Sequence, residues 1–188
     1  MKRLWCVCLV PLLTVPAWGQ AAPQGTSSAQ PDQTDAAVNS FYKVVMARHP
    51  FGIPDLDVFG PYLSKKLLHE FGLTKACFEN WRRENPDPKL KPPVSLGDYA
   101  LLSGGNKDMD PQTFHIDRTE SLEDGAYRVD VKLISEDSSN RLTWYVAAVV
   151  VRENGRPVVD DILYLKGPNR DIDFRLTDLL KLGCKESG

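Results

Sequence analysis

Two dipeptides constrain this chain more than any other feature: Asp124-Gly125 and Asn154-Gly155, each set between runs that alternate apolar and polar residues. A two-residue hairpin turn needs φ > 0 at both central positions, which Asp, Asn and Gly reach at least cost. Residues 113–122 and 126–135 therefore read as one hairpin, and 142–153 and 156–166 as a second. Residues 137–140 join them, giving a four-strand antiparallel meander.

The first half carries a different period. Val38, Phe41, Tyr42 and Val45 recur at helical spacing, with Thr34 or Asp35 as N-cap and His49-Pro50 as the stop. A second helix follows Pro61, buries Leu63, Leu67, Leu68 and Phe71, and ends at Gly72. Thr74 caps a third, with Cys77, Phe78 and Trp81 on one face and Pro86 beyond its end. Residues 86–112 are irregular, with 99–102 as a short strand, and a last helix over 171–181 places Ile172, Leu176, Leu179 and Leu180 on one side. Helices ahead of a long antiparallel sheet make an α+β plan: N-terminal helices packed on a curved sheet of four or more strands, with a C-terminal helix.

The chain opens with Lys2 and Arg3, an apolar run from residue 4 to 15, and the small residues Ala17 and Gly19 around Trp18. That is the pattern of a cleaved secretory signal over residues 1–19, and the apolar run is shorter than the ~20 residues that span a bilayer. Residues 20–33 are rich in Ala, Gln, Ser and Pro and read as a flexible linker. The expected domain covers 34–182, with 183–188 as a tail, in a protein that is periplasmic or secreted. Cys6 and Cys8 leave with the signal, so Cys77 and Cys184 are the pair available for one disulfide in an oxidising compartment; the alternative is a buried thiol on a helix and a loose one in the tail.

The balance of 23 basic and 25 acidic residues, with no basic cluster, offers nucleic acid no electrostatic footprint. A mean hydropathy of −0.31 excludes a multi-span membrane protein, and no membrane contact is expected after signal cleavage.

The run Pro61-Tyr62-Leu63-Ser64-Lys65-Lys66-Leu67-Leu68 after an opening helix, the long strand over 144–151 and the closing Val158-Val159-Asp160-Asp161-Ile162 resemble the nuclear transport factor 2-like cone superfamily. The stretch 95–102 before the meander is most similar to an uncharacterised family of bacterial secreted domains. The resemblance covers about residues 34–182. It implies a conical sheet wrapped by helices, often with a pocket, and no particular reaction.

Counting back from two-residue turns sets Glu120 opposite Val129, Arg118 opposite Val131 and Ala148 opposite Asp161. A four-residue middle loop sets Val129 opposite Ala148. One face then carries Phe114, Ile116, Tyr127, Leu133, Trp144, Val150, Val159, Leu163 and Leu165, the core. The other carries His115, Asp117, Thr119, Arg128, Asp130, Lys132, Tyr145, Ala147, Asp160 and Tyr164, with its first two strands solvated. In this register Asp117 faces Lys132 as a cross-strand charge pair.

Glu120, Ala148 and Asp161 fall in one row across the core face, with Arg118 a step away. Two readings are open. In one, Arg118, Glu120, Ala148 and Asp161 line a ligand pocket roofed by Tyr42 and Trp81. In the other, Arg118 and Glu120 sit at the rim of an edge strand and Asp161 caps a helix or loop, and edge strands favour this one. Glu120 and Asp161 would stand roughly 14 Å apart at ~4.8 Å per strand, too far for a carboxylate pair that needs roughly 5–9.5 Å. Neither a metal nor a cofactor is expected: Asn106, Asp108 and Asp110 alternate like a calcium loop, but Pro111 stands where such a loop needs Gly.

The expected function is a non-catalytic binding module for a small molecule or a protein, as monomer or homodimer. The alternatives are a hydrolase or isomerase using Asp161 or Glu120 as a lone base, and a periplasmic inhibitor or immunity protein.

Overall fold

The computed structural model describes residues 29–92, 96–106, 109–136, 140–167 and 170–185, with the side chains of residues 29, 30, 98, 106 and 183–185 outside the described set. The expected signal segment lies outside it as well. The order is α1 (Ala29–Arg48), the short α2 (Leu56–Phe59), α3 (Lys65–Glu84), the small pair β1 (Tyr99–Ala100) and β2 (Gly105–Asn106), five strands and α4 (Leu176–Lys185). The strands β3 (Thr113–Ser121), β4 (Tyr127–Glu136), β5 (Arg141–Glu153), β6 (Arg156–Lys166) and β7 (Asp171–Arg175) pair in sequence order, all antiparallel. This is the expected α+β architecture, with a fifth strand.

Several boundaries move, each for a local reason. α1 starts at Ala29, so residues 29–33 of the expected linker are its first turns, and Thr34 is buried inside it instead of capping it. The two helices expected on either side of Gly72 are one: Ser64 caps α3 by accepting the Leu67 N–H at 3.0 Å, and the helix runs on to Glu84. Thr74 opens no new helix because its hydroxyl donates to the carbonyls of Glu70 (2.8 Å) and Leu180 (3.2 Å), tying α3 to α4. The expected last helix splits. Residues 171–175 form β7 with Ile172 exposed, and α4 begins at Leu176, with Leu176 and Leu180 fully buried.

The core lies between the helices and one sheet face. Val38, Phe41, Tyr42 and Val45 of α1 and Leu67 and Phe71 of α3 pack against Val129, Val131, Leu133, Val146, Ala148, Val150, Ile162 and Tyr164. The β4–β5 register is the expected one, with Val129 opposite Ala148 and Val131 opposite Val146. Across the Asn154-Gly155 turn both residues have φ > 0 and Glu153 faces Arg156, as expected.

The two outer pairings depart. At the first hairpin only Gly125 has positive φ, and Leu122 and Ala126 close a three-residue loop, so the register shifts by one. Bulges at Asp117, Asp160 and Asp173 shift it again in β3, β6 and β7. A one-residue slip exchanges the faces of every residue beyond it. Thr119 therefore joins the helix-covered side, where its hydroxyl donates to Asp35 of α1 at 2.5 Å. Ile162 and Tyr164 enter the core in place of Leu163 and Leu165. His115, not Asp117, stands opposite Lys132.

Candidate functional site

The register shifts dissolve the row expected across the core. Arg118 now faces Asp130, and Glu120 faces Arg128, both on the outer side; Arg118 and Glu120 are about half exposed and bond each other at 3.0 Å. Ala148 stays in the core. Asp161 pairs with Val149 on the outer side, although it is buried. Tyr42 is fully buried against Phe41 and Phe114, whereas Trp81 lies at the far end of α3 in a separate cleft. The six residues make no single pocket. Glu120 and Asp161 do share a hollow of about 270 Å³ on the outer face, floored by Val149 and Leu163.

Asp161 is committed there. Its Oδ1 accepts the N–H groups of Ile162 (2.9 Å) and Thr177 (3.1 Å), and its Oδ2 accepts the Thr177 hydroxyl at 2.9 Å. The carboxylate thus satisfies a donor in the first turn of α4, where negative charge is favoured. This is the capping arrangement weighed above, with Arg118 and Glu120 at the edge. The preceding Asp160, pushed out by its bulge, takes the Ser64 hydroxyl at 2.7 Å and the Lys66 ammonium at 2.6 Å. Consecutive aspartates inside an alternating apolar strand are the visible trace of that bulge.

On the outer face β3 is solvated as expected, with His115, Arg118 and Glu120 exposed, but β4 is covered. Asp130 is 1% exposed and receives three guanidiniums: Arg128 at 2.7 Å, Arg170 at 3.2 Å and Arg118 at 3.4 Å. Arg170 comes from the turn between β6 and β7, also bonds Asp117, and lies over the Tyr145 ring at 5.0 Å. Three arginines against Asp117, Glu120 and Asp130 leave the cluster balanced, a clamp drawing the turn over the sheet.

Cys77 of α3 is disulfide-bonded. Cys184 belongs to α4, which packs on α3, but its side chain lies outside the described residues.

Of the remaining hollows, two bear on function. The first, about 230 Å³, lies at one end of the helix-covered face between the β1–β2 segment, Tyr164, Phe174 of β7 and Leu179 of α4, with Ala100, Leu101, Gly104 and Met109 completing it. Gly104 has φ +69°, and a Cβ there would stand 2.6 Å from the Tyr164 ring, so only glycine lets the loop lie this close. The Tyr164 hydroxyl donates to the Leu101 carbonyl at 2.7 Å, and burial pushes its pKa above the ordinary phenol value. What faces the cavity is therefore mostly hydrocarbon and aromatic surface, with the Tyr99 phenol at its edge. Phe174 packs on Tyr164 with ring centroids 4.7 Å apart, yet Phe174 and Tyr99 remain about half exposed at the opening. The hairpin fell within a stretch that the sequence left almost unassigned, and only the Gly104-Gly105 pair signalled a close backbone approach.

The second cavity, about 500 Å³, is formed by Trp81 and its neighbours at the opposite end of α3. Compared with known proteins, the chain matches no family model, no curated protein and no solved structure.

Proposed function

We propose that this domain is an exported binding module that holds a small apolar molecule between Tyr164, Phe174 and the β1–β2 segment. One observation carries the reading: a concave, apolar wall stands open to solvent with two aromatic side chains half exposed at its mouth. Solvent-exposed apolar concavities are where ligands gain most from leaving water. Among the described residues the lining is mostly apolar, and its polar side-chain groups are the phenols of Tyr99 and Tyr164, the latter committed to the Leu101 carbonyl, so the wall is better suited to holding a molecule than to transforming it. A cavity of roughly 150 Å³ takes benzene, so about 230 Å³ suits a ligand of roughly ten non-hydrogen atoms. Export rests on the basic, apolar and small-residue pattern of residues 1–19. The resemblance to nuclear transport factor 2-like cones, which implies a sheet wrapped by helices and often a pocket, is in keeping with a binding role.

The test uses 1-naphthol, uncharged at neutral pH, by isothermal titration calorimetry. Wild type is expected to bind one equivalent with Kd on the order of 10–100 μM, typical of a good fragment-sized ligand. Phe174→Ala, at an exposed position, should weaken binding at least fivefold with the thermal transition kept. Absence of saturable binding, or binding indifferent to Phe174→Ala, refutes the proposal.

A further inference from the structure

The cleft at the end of α3 differs in chemistry from the apolar cavity. Phe78, Trp81 and Arg82 project from one side of the helix at i, i+3 and i+4 spacing. The chain after α1 supplies Phe51 and Ile53 opposite them, and the segment after α3 supplies Leu90 and Lys91. The floor is a tight backbone contact. Gly52 is buried with φ +68°, a Cβ on it would stand 3.2 Å from the Gly97 Cα, and its N–H donates to the Tyr99 carbonyl at 2.8 Å. A side chain at Gly52 would push the two segments apart, so the cleft is held open from below by chain and not by mobile side chains.

Its walls are aromatic and its charge has one sign. Phe51 and Leu90 are exposed at the lips, and the Arg82 guanidinium lies 5.7 Å from the Trp81 ring centroid. That stacking parks a cation against the aromatic wall. Lys91 is the second cation. No Asp or Glu lines the cleft, and neither Arg82 nor Lys91 forms an ion pair among the described residues. The C-terminal dipole of α3 accounts for a basic residue at position 82 but not for Lys91, which lies beyond the helix. At about 500 Å³ the cleft is within the size range of small-molecule sites.

We infer that this cleft is a second binding site, for a planar aromatic molecule carrying a carboxylate or sulfonate, with the ring between Phe51, Phe78 and Trp81 and the anion between Arg82 and Lys91. The site is independent of the Tyr164 cavity. Two cations of like sign beside an apolar slot select for an anion and against a neutral analogue of the same body.

Two fluorescent probes with a shared body test this: 1-anilinonaphthalene-8-sulfonate, which is anionic, and N-phenyl-1-naphthylamine, which is neutral. The sulfonate is expected to bind wild type with one saturable equivalent and to weaken as salt rises. Arg82→Gln with Lys91→Gln should weaken the sulfonate about tenfold, the combined effect of two partly exposed cations, while moving the neutral probe less than twofold. Trp81→Ala should weaken the sulfonate, and Phe174→Ala should leave the sulfonate unchanged. Sulfonate binding unchanged by Trp81→Ala, or equally sensitive to Phe174→Ala, overturns the site. Equal loss of both probes in the double Gln variant overturns the anion preference.

Discussion

Tyr42→Phe and Tyr164→Phe delete the same atom from two buried rings of one core cluster, and they are expected to move stability in opposite directions. The Tyr42 hydroxyl is buried with no hydrogen-bond partner among the described residues. In the unfolded chain it is hydrated, so folding strands a polar group at a cost of about 1–3 kcal/mol. Phenylalanine keeps the ring contacts with Phe41 and Phe114 and forfeits only the few dispersion contacts of one oxygen, about 0.5 kcal/mol. The net is a gain of about 1 kcal/mol, or a Tm rise of roughly 2–4 °C for a chain of this size. The Tyr164 hydroxyl, by contrast, serves the Leu101 carbonyl at 2.7 Å. Its removal leaves that carbonyl unmatched and costs about 1–2 kcal/mol.

Urea unfolding reads both variants, with the midpoint shifting up for Tyr42→Phe, down for Tyr164→Phe, and the slope unchanged. High pH supplies a second check. Burial raises the folded-state pKa of both phenols well above the unfolded value of about 10, and for Tyr164 the charges of Tyr42 and Asp161 add to it. The folded state therefore holds protons that the unfolded state has released, so stability is full below about pH 10 and falls as pH rises beyond it. Tyr42→Phe should make that fall shallower. A Tyr42→Phe protein as destabilised as Tyr164→Phe would refute the reasoning, because it would mean that the Tyr42 hydroxyl is bonded in the native state.

Asp161→Ala removes two hydrogen bonds from Thr177 at the start of α4 and one from the Ile162 N–H of β6, and should cost about 2–4 kcal/mol by chemical unfolding, with Asp161→Asn recovering part of it. Asp130→Ala leaves three guanidiniums without their shared acceptor; since Arg118 and Arg170 are partly solvated, the expected loss is about 2–3 kcal/mol, and amide exchange should rise in the β6–β7 turn. Pairing of Cys77 with Cys184 predicts that Cys77→Ser, Cys184→Ser and the double substitution lower stability by the same amount, about 2–5 kcal/mol for so long a loop. A Cys184→Ser protein that shows no free Cys77 thiol would assign the bridge to another partner.

The architecture was legible wherever a local rule acts alone. Asn154-Gly155 set its hairpin, and the β4–β5 register followed from the spacing of Glu136 and Arg141. The candidate site was not legible, because it depended on counting residues across a turn and along edge strands, where one extra residue reverses every face. The three-residue loop at Gly125 moved Glu120 off the core face and the bulge at Asp160 moved Asp161, while the bulge at Asp117 reversed the first slip and returned Ile116 and Phe114 to the core. The Trp81 and Tyr164 cavities draw walls from residues 51–53, 88–92, 96–105 and 109, where tertiary contacts such as Gly52 on Gly97 set the chain and little periodicity shows in the sequence.

The cap of α3 also sets a schedule for making the protein. Ser64 donates its N–H to Val159 and its hydroxyl to Asp160, a partner 96 residues further on. At synthesis rates of about 5–20 residues per second, α1 and α3 precede that partner by roughly 5–20 s. Through this interval Phe41, Leu67 and Phe71 lack the complete sheet that covers them in the finished protein, and neighbours such as Tyr42, Phe59 and Tyr62 give Phe41 only part of its packing. Chaperones that hold nascent apolar segments thus have their longest opportunity on residues 29–84, and a chain halted before residue 159 continues to present that surface.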